Sequence, residues 1–96
     1  MKSYVDRVAV IAGAGSGVGR ALAFQLAQQG CHLVLADMDG EALEQPRVLI
    51  TDRQDATRVE PSTYVVDVSD SLAMQRFSEQ VSAKHGPVNL LFNNVG

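Results

Sequence analysis

Val8-Ala9-Val10-Ile11-Ala12-Gly13-Ala14-Gly15-Ser16-Gly17-Val18-Gly19 decides the fold of this chain. Its first four residues form a continuous apolar run in which Val8, Val10 and Ile11 are β-branched. Continuous rather than alternating hydrophobicity marks a strand buried on both faces, as in a parallel sheet. Glycines at 13, 15, 17 and 19 interrupt the run, and from Val18 the period changes. Val18, Leu22 and Leu26 recur at i, i+4 and i+8, which places them on one helical face. Gly30 stands where a left-handed residue stops a helix. Leu33-Val34-Leu35-Ala36 reads as a second buried strand, closed by the polar Asp37-Met38-Asp39-Gly40. Residues 7–37 therefore spell strand, glycine turn, helix and strand, a βαβ unit with a right-handed crossover.

The second half repeats the pattern less cleanly. Glu41–Gln45 starts a helix that Pro46 is expected to stop or kink after barely one turn. Val48-Leu49-Ile50 reads as an edge strand or a packing segment, and Asp52–Pro61 as a charged surface loop with a short helical turn. Tyr64-Val65-Val66 is a third strand. Ser69 is the expected N-cap of a helix carrying Ala73, Met74, Phe77 and Val81 on one face. Gly86-Pro87 ends that helix, and Val88–Phe92 is a fourth strand.

Composition sets the outer limits. Ninety-six residues make one small domain, and 46% hydrophobic with 20% charged residues is ordinary globular composition. Such a chain buries only about 60% of its unfolded surface, so its fold must be compact or lean on something else. Eight Lys and Arg against eleven Asp and Glu, a net charge of −3, argue against a nucleic-acid partner. No stretch approaches the ~20 apolar residues of a membrane span. Lys2 and Arg7 before the apolar Val8–Ala14 imitate a signal peptide, but Asp6 and the interrupting glycines argue against a removed leader. With no removed leader, a reducing, cytoplasmic location is expected; the lone Cys31 forms no internal disulfide, so the chain is not a stapled secreted miniprotein.

The glycine cluster carries the chemistry. A bare turn lets backbone approach a pyrophosphate closely, and the following helix N-terminus aims unpaired N–H groups and partial positive charge at it. Asp37 lies 24 residues after Gly13, at the carboxyl end of the second strand. An acid there accepts from the adenosine ribose hydroxyls of a dinucleotide, although an acid at that place also serves as a plain turn cap. Its charge would repel a 2′-phosphate, and neither Met38 nor Asp39 offers a cation to neutralise one, so NAD(H) is expected over NADP(H). Arg20 reads as a salt-bridge or surface residue. Cys31 is read as a small buried residue, Met38, Met74 and Phe77 as packing residues. His32 and His85 lack metal-ligand companions and suit surface or helix-end roles; no metal site is expected.

Ala12-Gly13-Ala14-Gly15-Ser16-Gly17-Val18-Gly19 resembles the Thr-Gly-x-x-x-Gly-x-Gly signature of the short-chain dehydrogenases/reductases. Asp67-Val68 resembles that family's Asp-Val pair after the third strand, and Asn93-Asn94-Val95-Gly96 its Asn-Asn-Ala-Gly element ending the fourth. The resemblance spans essentially the whole chain. It implies a partial Rossmann fold: a four-stranded parallel sheet in the order 3-2-1-4 with helices on both faces. It also implies a cofactor site built from Gly13, Ser16, Gly17, Val18, Gly19, Asp37, Asp67, Val68 and Asn94. In the family the acid corresponding to Asp67 accepts from the adenine amino group, the residue corresponding to Val68 supports the ring, and Asn94 borders the cofactor ribose.

Three departures accompany the match. Ala12 replaces a Thr whose hydroxyl ties the glycine loop to the sheet, a loss of about 0.5–1.5 kcal/mol. Val95 replaces Ala and brings crowding near the cofactor path. Pro46–Pro61 stands in place of a long crossover helix, which would leave one sheet face poorly covered. The resemblance further implies catalysis by a Tyr-x-x-x-Lys pair downstream of the Asn-Asn-Ala-Gly element. Tyr4 is followed four places on by Val8 and Tyr64 by Val68, so neither forms the pair, and no catalytic residue is assigned. Residues 1–96 are accordingly expected to be the N-terminal, dinucleotide-binding portion of such an oxidoreductase, acting on alcohols or ketones, with the catalytic half absent. The other expectation is a truncated, non-enzymatic dinucleotide-binding or interaction module. In that case the Val88–Phe92 edge recruits a second copy or another chain.

Overall fold

The computed structural model describes residues 7–53 and 61–93. Seven elements follow one another: β1 (Val8–Ala12), α1 (Gly17–Gln28), β2 (His32–Asp37), α2 (Gly40–Arg53), β3 (Ser62–Val65), α3 (Ser71–His85) and β4 (Leu90–Asn93). The strands form one parallel sheet in the order β3-β2-β1-β4. The expected topology and the α/β layering are both present.

Strand alternation sorts the apolar run onto two faces. β1 and β2 pair Ala9 with Leu33 and Ile11 with Leu35, and these residues pack with Ala23, Leu26 and Ala27 of α1 and Leu43 and Ile50 of α2. The intervening Val8, Val10, Val34 and Ala36 pack on the other face with Phe77 and Val81 of α3. Every residue of β1 is buried, as a central strand covered on both sides requires.

The second crossover differs from its sequence reading. α2 runs for 14 residues straight through Pro46, so that proline does not stop the helix, and Val48-Leu49-Ile50 is helical rather than an edge strand. A proline inside a helix loses one backbone hydrogen bond and costs about 3 kcal/mol. Leu43, Pro46 and Ile50 lie at i, i+3 and i+7 and are all buried, and each large apolar side chain so placed returns about 1.5–3 kcal/mol. Burial outweighs the defect, and the sheet face expected to be bare is covered. Asp52 and Arg53 belong to this helix, while residues 54–60 of the expected loop lie outside the described residues.

Smaller shifts have local causes. The packed face of α1 is Gly19, Ala23, Leu26 and Ala27; Val18 is 71% exposed. Small residues win that face because the helix start sits close to the preceding loop: a Cβ on Gly19 would lie 2.3 Å from the Gly13 carbonyl oxygen. Asp70, not Ser69, is the N-cap of α3, its carboxylate accepting from the amides of Leu72 and Ala73. β3 begins two residues earlier and β4 two residues later than expected. At β4, Asn89 brackets Val8, its amide donating to the Val8 carbonyl and its Oδ1 accepting the Val8 amide, both at 2.9 Å. Val88 packs instead against the α3-side core. Gly30 and Gly86 end α1 and α3 with φ of 88° and 83°, as expected.

Candidate functional site

The carboxyl ends of β1, β2 and β3 meet at one edge of the sheet, where the loop of residues 13–16 leads into α1. That loop is pinned residue by residue. The amides of Gly13 and Ala14 both donate to the Ala36 carbonyl, at 2.8 and 3.1 Å. These two bonds tie the loop to β2. Gly15 donates its amide to Asp37 Oδ2 at 2.9 Å. The Ser16 hydroxyl donates to the Gly13 carbonyl at 3.0 Å and accepts the Gly19 amide at 3.2 Å as the N-cap of α1. The Gly15 carbonyl accepts from Arg20 Nη2 at 3.0 Å.

The four glycines have different reasons. Gly13 has a φ of 78°, in the left-handed region. A Cβ on Gly15 would lie 2.5 Å from the Ala42 Cβ and 2.9 Å from Asp37 Oδ2. Gly19 lies under the Gly13 carbonyl. Gly17 has neither cause: its φ is not positive and nothing lies within 4 Å of its Cβ position. Gly17 and Val18 are also the first two residues of α1, whose amides have no acceptor within the helix. The loop thus presents open space, two helix-start donors and the positive end of the helix dipole together.

Two carboxylates flank this opening. Asp37 closes β2, and its Oδ1 accepts the Asp39 amide at 3.0 Å. Asp39 in turn accepts from Glu41 and Ala42 at the start of α2. Asp67 lies just beyond β3, next to Val66, whose amide donates to the Asp37 carbonyl at 3.0 Å. The hydroxyl and amide of Ser69 both donate to Asp67 Oδ1, at 2.6 and 3.0 Å, and together hold its carboxyl below the usual value. Ionised acceptors beside a cluster of amide donors suit a molecule with an anionic centre and peripheral hydroxyl or amino groups.

Gly13, Ser16, Gly17, Val18, Gly19, Asp37, Asp67 and half-buried Val68 therefore lie on this one edge. Asn94, the remaining expected site residue, lies outside the described residues. Ser16 is there as a cap with its hydroxyl engaged inside the loop. Met38, expected to pack, is 56% exposed, because it stands past the end of β2 where no layer covers it. Arg20 does not play its expected surface role: it is half-buried and clamps the loop from the helix side. Neither its contact with the Gly15 carbonyl nor the Gly15 contact with Asp37 was read from the sequence. The available signal was spacing, since a side chain in the first turn of a helix leans back toward the N-terminus and over the loop before it.

The other chemically active groups sit apart. Cys31 is half-buried against the α1-side core, and burial pushes its thiol up, which disfavours the thiolate. His85 ends α3 and shares a 3.3 Å hydrogen bond with the Tyr64 hydroxyl. Among the described residues no three His, Cys, Asp or Glu side chains are grouped to hold a metal ion. Nor is any described helix long and apolar enough to cross a membrane.

Comparison with known proteins agrees with this geometry. The short chain dehydrogenase family profile matches residues 7–96. Levodione reductase of Leifsonia aquatica is 37% identical over 93 residues, 97% of this chain and 34% of that protein. The crystal structure of NAD+-bound xylitol dehydrogenase superposes with a TM-score of 0.87 at 34% identity, covering 99% of this chain and 35% of the other. A metagenomic short-chain oxidoreductase in complex with NADP gives the same TM-score of 0.87 at 34% identity, covering 98% and 41%. The chain spans 15% to 34% of the length of curated relatives it matches.

Proposed function

The chain belongs to the short chain dehydrogenase family, and from that premise we propose that residues 1–96 are its dinucleotide-binding portion, taking NAD(H) in preference to NADP(H). The observation that carries this reading is Gly17. The fold gives no internal reason for a glycine there, and the space a Cβ would fill opens beside the Gly17 and Val18 amides. In this reading those amides hold the pyrophosphate, Asp37 accepts from the adenosine ribose, and Asp67 with Val68 borders the adenine. Gly13, Ser16 and Gly19 shape the loop, and Asn94 is assigned to the cofactor ribose from the family resemblance alone.

NAD(H) is favoured because Asp37 puts a carboxylate where a 2′-phosphate would lie. Asp39 and exposed Met38 follow it, with no cation among them. A bound nicotinamide would supply hydride transfer to or from an alcohol or ketone carbon. The chain's own residues would position that cofactor, and in the absence of a Tyr-x-x-x-Lys pair they supply no proton donor to a substrate oxygen. We therefore assign residues 1–96 no turnover by themselves. The test is calorimetric titration of the protein with NAD+ and NADP+. Saturable NAD+ binding, tighter than that of NADP+, is expected; no binding of either would sink the reading.

A second reading, an interaction module without catalysis, rests on the open edge of the sheet. β4 pairs only with β1 in the described sheet, and Leu91 on it is 65% exposed. Beside it a cavity of about 300 Å³ is lined by Val10, Met74, Phe77, Val81, Val88 and Leu91 among others. Apolar side chains on an unpaired edge favour association with a second copy or another chain. Sedimentation with and without Leu91→Lys tests it: a concentration-dependent assembly that the lysine abolishes is expected, and a monomer throughout removes this reading.

A further inference from the structure

Arg20 is placed in a way that a surface residue is not. Its Nη2 donates to the Gly15 carbonyl at 3.0 Å, while its Nε is buried with no hydrogen-bond partner among the described residues. A buried N–H left unpaired opposes folding, so an arginine held in this pose needs a compensating purpose. Its stem lies along a groove of about 230 Å³ with Gly17, Ala21, Phe24, Pro46 and Ile50, between α1 and α2.

What Arg20 holds is a glycine carbonyl in the middle of the loop. Glycine loses more backbone freedom on ordering than any other residue, and Gly15 stands between two more glycines at 13 and 17. Its amide is fixed by Asp37 and its carbonyl by Arg20, so the peptide groups on both sides of Gly15 are gripped by side chains from β2 and α1. The next peptides lead directly into the open Gly17 and Val18 amides. The guanidinium also adds a full positive charge behind a helix start that already carries a partial one.

We propose that Arg20 is a positioning residue for the dinucleotide: by clamping the Gly15 carbonyl it keeps the Gly17 and Val18 amides oriented for a pyrophosphate. This rests on the dinucleotide reading above. Arg20 touches the loop rather than the ligand, so its effect is on the part of the ligand that the loop holds.

The experiment compares the wild-type protein with Arg20→Met and Arg20→Lys, titrating NAD+ and, separately, adenosine. Arg20→Met should weaken NAD+ about tenfold, the size expected for losing a charged hydrogen bond, and change adenosine by less than about twofold. Arg20→Lys, which keeps charge and reach but not the planar fork, should recover NAD+ affinity to within about threefold of wild type. Equal NAD+ affinity in Arg20→Met overturns the proposal and leaves the dinucleotide reading standing. An equal loss for adenosine and NAD+ also overturns it, since that marks a general loss of structure. Failure of the wild-type protein to bind NAD+ overturns the dinucleotide reading itself. Should Arg20→Met not fold, Arg20→Gln takes its place: too short to reach the Gly15 carbonyl, it should weaken NAD+ about tenfold and speed exchange of the Ser16 amide, which shares a peptide with that carbonyl, and unchanged affinity or exchange overturns the clamp.

Discussion

Asp37 and Gly15 are bound to each other across the site: the aspartate at the end of β2 accepts the glycine amide at 2.9 Å, and that carboxylate, with the Ala42 Cβ, leaves the glycine no room for a side chain. One carboxylate thus joins two segments separated by a helix. Any ligand contact made by Asp37 comes from a group that also holds the loop, so substitutions there disturb both.

The neighbouring glycines should respond in opposite ways. Gly15→Ala drives a methyl group to 2.5 Å from the Ala42 Cβ and 2.9 Å from Asp37, and overpacking of that kind costs about 1–3 kcal/mol. Gly17→Ala meets nothing and removes freedom from the unfolded chain, so it should be neutral or stabilising by up to about 1 kcal/mol. Yet Gly17→Ala should weaken NAD+ binding about tenfold or more, because its methyl enters the space assigned to the pyrophosphate. Urea denaturation together with cofactor titration checks both. A Gly17→Ala protein that binds NAD+ normally would contradict the site.

Asp37 should control the choice of dinucleotide. NAD+ is expected to raise the melting temperature of the wild-type protein more than NADP+ does at equal concentration. Asp37→Ser should narrow that difference by removing charge repulsion, while lowering stability by about 1–3 kcal/mol through the disturbed Gly15 amide. Equal protection by the two cofactors in wild type would count against the NAD(H) assignment.

Stability should fall in mild acid because of His85. Burial first, then the charges of Lys84 and His32, push its pKa below the ordinary 6.5, so the folded protein favours the neutral ring. The contribution is present above pH 6.5 and is lost as pH falls from there through the lower folded value. The urea midpoint should therefore drop between pH 7.5 and pH 5, and His85→Gln should flatten that dependence. Asp67 acts in a separate window, since its carboxyl is held below 3.8 and its contribution is lost only in stronger acid. A midpoint that is unchanged by His85→Gln across the upper window would contradict the assignment.

Alcohol-dependent production of NADH by the purified 96-residue chain should be absent, since no tyrosine in it is followed four places later by lysine. Spectrophotometry at 340 nm with secondary alcohols and NAD+ checks this, and sustained turnover would mean that other residues supply the acid–base step.

The βαβ unit was legible because Val8-Ala9-Val10-Ile11 and Leu33-Val34-Leu35-Ala36 are apolar without alternation and are bounded by glycine and polar turns, whereas Val48-Leu49-Ile50, apolar but without such bounds, is helical. Glycine spacing and Asp37 likewise carried the site, since backbone approach and carboxylate charge are properties of residue type. Pro46 misled because its local penalty is large and visible, whereas the burial of Leu43, Pro46 and Ile50 that outweighs it exists only once the sheet is assembled. Val18 misled because its apolar character fits a packed face, and only the closeness of α1 to Gly13 gives that face to Gly19 and Ala23.

Sequence alone thus determined the βαβ unit, the place of the glycine turn and the acid at its side, all set by short-range pattern and residue chemistry, while the order of the four strands followed only from the family resemblance. Tertiary structure decided which groups are engaged and which are open. Asp37 holds Gly15, Arg20 holds it from the other side, and Gly17 is left clear. The reason is physical: the Gly15–Asp37 hydrogen bond joins residues 22 apart in sequence and forms only once the loop and β2 are brought together, which no local preference encodes.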